Sequence, residues 1–232
     1  MINLKEECLK YDIQIDDNQV ELFQKYYEFL IEYNNHTNLT RIVEFDEVMI
    51  KHFLDSLLIS KVVDIDNKNI LDIGSGAGFP GVPIKIKASN SNVSMLDSNN
   101  KKIQFINEVI QKLSLKDTFA YNLRAEDLAK TKRESFDLVT ARAVARLNIL
   151  VELCLPFVKV NGYFVALKSS EYKEELEEAK NGIEILGGKF ERTVKFDLPY
   201  GMGEREFIII KKVKKTDIKY PRLYGKIKNK PL

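Results

Sequence analysis

Apolar positions recur every three or four residues at Val20, Phe23, Tyr27, Leu30 and Ile31, which predicts an amphipathic helix over 17–33 with Asp16 or Asp17 as its N-cap. A second helical stretch is expected over 44–62, where Val48, His52, Asp55 and Leu58 keep the same spacing. From residue 68 the pattern shortens. Asn69-Ile70-Leu71-Asp72-Ile73 reads as a buried strand, followed by a glycine-rich turn and a helix to about Ala88. A second strand covers 93–97, and 101–113 is helical, with Ile103, Ile106, Val109, Ile110 and Leu113 along one side. Short strands follow at 118–121, 136–140 and 163–167, with a helix near 147–157 between the last two and another over 171–186. Strands near 190–197 and 205–213 close the pattern around the turn Pro199-Tyr200-Gly201-Met202-Gly203, with no helix between them. Alternating strands and helices imply right-handed crossovers and a parallel sheet covered on both faces. The expected fold is α/β, a Rossmann-like doubly wound sheet, mostly parallel with one antiparallel strand. Residues 1–66 form a small helical N-terminal extension packed on the core, 67–213 the main domain, and 214–232 a basic C-terminal tail.

Composition adds exclusions. Of 232 residues, 44% are hydrophobic and 30% charged, which rules out a disordered chain, a collagen and a disulfide scaffold. Cys8 and Cys154 are the only cysteines, with no CxxC pair, and two histidines make no metal site. The apolar runs are far shorter than the ~20 residues of a membrane span, and no basic start precedes an apolar stretch. A reduced, soluble, cytoplasmic protein with no membrane contact is expected, as a monomer. The net charge of +2 conceals an asymmetry. Residues 211–232 hold nine basic residues and one acidic, which leaves the rest of the chain at −6. Such a basic end, with Tyr220 and Tyr224 interleaved, points toward nucleic acid.

The chemistry concentrates in Leu71-Asp72-Ile73-Gly74-Ser75-Gly76-Ala77-Gly78-Phe79-Pro80-Gly81, between a strand and a helix. Glycines let a backbone turn sharply and approach a ligand, and the helix that follows offers free N–H groups to an anion. Gly76, Gly78 and Gly81 satisfy GxGxxG, so a dinucleotide fold, and with it an NAD-dependent oxidoreductase, is the rival reading. Asp97 closes the second strand about twenty residues beyond Gly76, where an acid accepts hydrogen bonds from ribose hydroxyls in either cofactor class. Two features favour S-adenosylmethionine: Asp72, an acid placed to face a cationic ligand, and the antiparallel closing pair. The D-x-G-x-G-x-G pattern with a ribose acid one strand later resembles class I methyltransferases.

Arg124-Ala125-Glu126-Asp127 follows the third strand, and Thr140-Ala141-Arg142-Ala143-Val144-Ala145-Arg146 follows the fourth, at the ligand-facing end of the sheet. In a chain that usually chooses Lys, the arginines there offer planar forks for phosphate or a guanine edge. Taken alone, Asn34, Asn38, His52 and Asp55 read as local hydrogen-bonding residues.

Together, Tyr33-Asn34…Asn38-Leu39-Thr40, His52…Asp55-Ser56, the glycine turn, Leu96-Asp97-Ser98, Arg124-Ala125-Glu126, Ala141-Arg142-Ala143 and Leu167-Lys168 resemble the bacterial ribosomal RNA small subunit methyltransferase G family, also called glucose-inhibited division protein B. The matches run in order through nearly the whole chain. The resemblance implies methyl transfer from S-adenosylmethionine to N7 of one guanine, position 527, in the 530 loop of 16S ribosomal RNA, with the RNA or the small subunit as partner. It also implies cofactor-site positions at Gly74, Phe79, Asp97, Ser98, Asn99, Ala125, Glu126 and Arg142, to which the glycine turn adds Gly76. Lys51 departs from the Arg that many members carry before the His. Guanine N7 already carries an in-plane lone pair, so no general base is nominated. Arg142, Lys168, Asn34 and Asn38 are the candidates for positioning the substrate. A non-enzymatic RNA-binding protein with a vestigial fold is the third class.

Overall fold

The computed structural model describes residues 1–168 and 172–232. Its spine is a sheet of β1 (Asn69–Ile73), β2 (Asn92–Leu96), β3 (Thr118–Tyr121), β4 (Phe136–Arg142), β5 (Val158–Lys168), β6 (Gly188–Asp197) and β7 (Glu204–Lys212). The seven strands lie in the order β3-β2-β1-β4-β5-β7-β6. β1 to β5 pair in parallel, and β7 runs antiparallel to both β5 and β6. The fold class is as expected. Strand order reverses between β1 and β4, which opens a crevice at their carboxyl ends.

Successive strand residues serve opposite faces. Ile70, Phe207 and Ile209 join one core, Leu71, Ile208 and Ile210 the other, so both sides of the sheet are dry. The first core also takes in α1 (Leu4–Leu9), α2 (Asp17–Thr37), the helical stretch 45–61, α5 (Gly81–Lys87) and α6 (Asn100–Lys112). That stretch runs as α3 (Phe45–Val48), a π-helical turn Met49–Leu54, α4 (Asp55–Leu57) and a 3-10 turn Leu58–Lys61. The second core is covered by α7 (Ala125–Lys132), α8 (Leu147–Cys154), α9 (Tyr172–Ile185) and α10 (Tyr224–Asn229).

Asp16 is the N-cap of α2, in a reciprocal box with Gln19. The helix runs past the predicted end at 33 because its polar last turn is satisfied locally. Thr37 Oγ1 donates to Tyr33 O at 2.8 Å, and Asn38 closes the helix in the left-handed region at φ 49°. After β3 the chain enters α7 at Ala125, a helix that no apolar period predicts. Only Ala125, Leu128 and Ala129 of that helix are buried, too few to show a period among charged residues. The helix expected from 171 is described from Tyr172; residue 171 lies outside the described residues.

The C-terminal segment packs against the second core. Tyr220 and Ile227 are buried in it. Arg222 grips the fully buried Glu152 through Nε and Nη2 at 2.8 and 2.6 Å. Arg133 Nη2 donates to Thr216 O at 3.0 Å. Lys212, one of the nine basic residues of that end, is buried and donates to Leu155 O at 2.6 Å.

Candidate active site

At the end of β1 the chain turns over the neighbouring strand, with Gly74 N and Ser75 N both donating to Leu96 O. Gly74 and Gly78 have φ of 72° and 92°, and neither has room for a side chain. A Cβ on Gly74 would lie 2.4 Å from Val144, and one on Gly78 would lie 2.8 Å from the Tyr26 hydroxyl. Tyr26, fully buried in α2, donates that hydroxyl to Ala77 O and packs its ring on Phe79 and Phe53. The N-terminal helices therefore brace the glycine turn from below.

Above the turn lies a cavity of about 400 Å³, bordered by Gly74, Asp97, Ser98, Ala125 and Glu126, with Val144 and Tyr224 among its other walls. Asp97 is held at its rim by two backbone donors. Gly76 N reaches Oδ2 at 3.0 Å and Asn99 N reaches Oδ1 at 2.8 Å. The carboxylate keeps lone pairs for further donors such as ribose hydroxyls. Asn99 itself caps α6, accepting from Lys101 N at 3.0 Å. Of the expected cofactor positions, Gly74, Asp97, Ser98, Ala125 and Glu126 border this cavity, while Gly76 and Asn99 serve it by fixing Asp97. Rim acid, tight glycine turn and the first residues of α7 suit the ribose, backbone and adenine parts of S-adenosylmethionine.

Asp72 does not face that cavity, contrary to the expectation. It is fully buried beneath the turn, where Oδ2 accepts from Gly81 N at 3.0 Å and Oδ1 has no partner among the described residues. Burial pushes its carboxyl up to about 7, against the pull of the Gly81 N–H.

A second cavity, of about 570 Å³, meets the first at Ala143 and Val144 and carries Arg142, Lys168, Lys51, Arg146 and Arg205. Arg142 is fixed from three sides. Nη1 donates to Asp55 Oδ2 at 2.9 Å and to Lys51 O at 3.0 Å, and Nη2 donates to His52 Nδ1 at 3.1 Å. Because a guanidinium can only donate, His52 carries its proton on Nε2 and gives it to Thr40 Oγ1 at 3.0 Å. Burial, reinforced by the Arg142 charge, lowers the imidazole to about 3, so it stays neutral. Phe79 lies under this cluster, 4.3 Å from the His52 ring and 5.1 Å from the Arg142 guanidinium. Asp55 also pairs with Arg205 Nε at 3.2 Å. Lys168 donates to Ala145 O at 2.7 Å and pairs with Glu175 at 2.6 Å.

Arg142 and Lys168 thus share a cavity; Asn34 and Asn38 do not border it. Asn34 grips Thr40 at both N–H (2.9 Å) and C=O (3.1 Å), and so braces the loop that presents Thr40 to His52. Sequence reasoning missed Arg205 and Val144, which carry no local signal, and read Tyr224 only as part of the basic end.

Comparison with known proteins gives the family and the fold. A family model described as rRNA small subunit methyltransferase G matches residues 19–207. The protein of that name from Desulforamulus reducens is 46% identical over 100% of this chain and 98% of its own. The one from Lachnoclostridium phytofermentans is 50% identical over 95% of this chain and 92% of its own. Among solved structures, a SAM-dependent methyltransferase from Aquifex aeolicus superposes with a TM-score of 0.57 at 15% identity, over 75% of this chain and 97% of that one. M. jannaschii TYW2, in complex with AdoMet, superposes with a TM-score of 0.52 at 17% identity, over 62% of this chain and 67% of its own. The oxidoreductase alternative is set aside. With matches of this extent, the chain belongs to the ribosomal RNA small subunit methyltransferase G family.

Proposed function

We propose that this enzyme methylates N7 of guanine 527 in the 530 loop of 16S ribosomal RNA, with S-adenosylmethionine as donor, in the cytoplasm. The observation that carries the reading is the shared wall. A cavity with a ribose-type acid meets a basic cavity at Ala143 and Val144, so a donor in one is next to an acceptor in the other. S-adenosylmethionine, when bound, supplies an electrophilic methyl group on a sulfonium. Gly74, Asp97, Ser98, Ala125 and Glu126 are the residues to hold it.

N7 needs no deprotonation, so the protein's work is orientation and exclusion of water. Arg142 suits that work. His52, Asp55 and the Lys51 carbonyl occupy three of its five N–H donors, which leaves Nε–H and one Nη2–H for a guanine edge or a phosphate. Among the described residues no helix is long and apolar enough to cross a membrane.

The test is labelled methyl transfer to purified 16S RNA, to assembly intermediates and to whole small subunits, followed by mapping of the product. The expected outcome is a single label at guanine N7 in the 530 loop. Label elsewhere, or in no small-subunit RNA, overturns the proposal.

A further inference from the structure

We infer that Tyr224 is an adenine-contact residue of the donor cavity, delivered there by the C-terminal segment; this rests on reading that cavity as the S-adenosylmethionine site. Along the crevice the cavity borders follow the strand order. Val144 lies after β4, Gly74 after β1, Asp97 after β2, and Leu123 to Glu126 after β3. The methyl group has to face the basic cavity, which shares Ala143 and Val144 as its border with this one. With Asp97 taking the ribose, the adenine falls on the β3 side. The borders there are Leu123 to Glu126 and Tyr224, among which Leu123 and Ala125 offer apolar surface and Tyr224 an aromatic ring. An aromatic face in such a place stacks on a base whatever its edge pattern.

Tyr224 is not a chance visitor from a loose end. Glu126, itself at the cavity border, accepts from Tyr224 N at 3.1 Å. Two residues earlier, Arg222 is locked on buried Glu152, and Ile227 is buried one turn later. The backbone is held on both sides while the Tyr224 side chain stays partly open, at 37% exposure. Position is fixed and a face is available.

The chain contains no tryptophan, so Tyr224→Trp creates a single reporter. Titrating it with S-adenosylhomocysteine is expected to change its emission with the same midpoint that calorimetry gives. Calorimetry is expected to find Tyr224→Phe within about twofold of the parent and Tyr224→Ala about tenfold weaker, the lower range for removal of one base stack. Unliganded melting temperatures show that each variant folds, and if the alanine variant does not, the tryptophan and phenylalanine variants decide. A silent tryptophan, or an alanine variant that binds as the parent does, overturns the assignment alone. A parent protein that does not bind S-adenosylhomocysteine overturns the reading of the cavity and this inference with it.

Discussion

Asp72 carries an acid into a place where its charged form is unwelcome. Its carboxyl titrates near 7 in the folded protein and in the ordinary carboxylate range, near 3.8, when unfolded. Between those values the folded state holds a proton that the unfolded state has released. Stability therefore falls as pH rises through that window, by roughly 4 kcal/mol at about 1.4 kcal/mol per unit. Asp72→Asn keeps an acceptor for Gly81 N and cannot ionise. Urea midpoints measured at pH 5, 6, 7 and 8 should decline for the parent and stay flatter for the variant; parallel profiles would refute the account. Nothing in the sequence shows which way an acid at a strand end points. A crevice-facing and a core-facing Asp occupy the same position in the motif, and packing under α5 decides between them.

The helical stretch 45–61 does its work as a unit. In its π turn the Asp55 N–H bonds to Ile50 O and passes over the Lys51 carbonyl, which accepts from Arg142 instead. His52 and Asp55, three residues apart, then reach the same guanidinium. Asp55 sits between Arg142 and Arg205 and so ties this stretch to the ends of β4 and β7. Asp55→Ala leaves two largely covered arginines without their anion, and a loss of about 3–5 kcal/mol is expected from chemical denaturation. A loss under about 1 kcal/mol would mean that the triad is stabilising nothing. At this scale much was legible beforehand. The expected strand at 118–121 matches β3 residue for residue, α2 and α6 stand where the apolar period put them, and α5 follows the glycine-rich turn as expected. What escaped were the short helices α1, α7 and α10, with too few apolar positions to show a period, and every contact between distant elements. Arg205 on β7 carries no local mark of its ion pair with Asp55, because only the fold brings them together.

Across the whole molecule, the basic end resolves into two kinds of residue. Lys212 and Arg222 turn inward and help hold the segment down and Lys211 is half-buried, whereas Lys214, Lys215, Lys219, Lys226, Lys228 and Lys230 remain exposed. The exposed set is the candidate phosphate-binding surface for the proposed RNA substrate. Changing those lysines to Gln leaves the packing intact. It should weaken RNA binding and flatten its salt dependence by about 0.7 in log–log slope for each single-strand phosphate that is no longer neutralised. Anisotropy titrations across a range of salt concentrations measure this, and an unchanged slope would remove the segment from the RNA interface.

The place of β7 in the sheet also sets the moment at which the protein can finish folding. β6 is made first but lies outermost, and its neighbour is β7, which also covers the outer edge of β5. While the chain is being synthesised, β1 to β5 can assemble in order of appearance, but β6 has to wait. Until residue 212 has left the ribosome, β5 offers an open edge of the kind that recruits other strands. The sheet therefore closes from the β7 side last, and β5 gains its outer partner only after β6 and β7 have both been made.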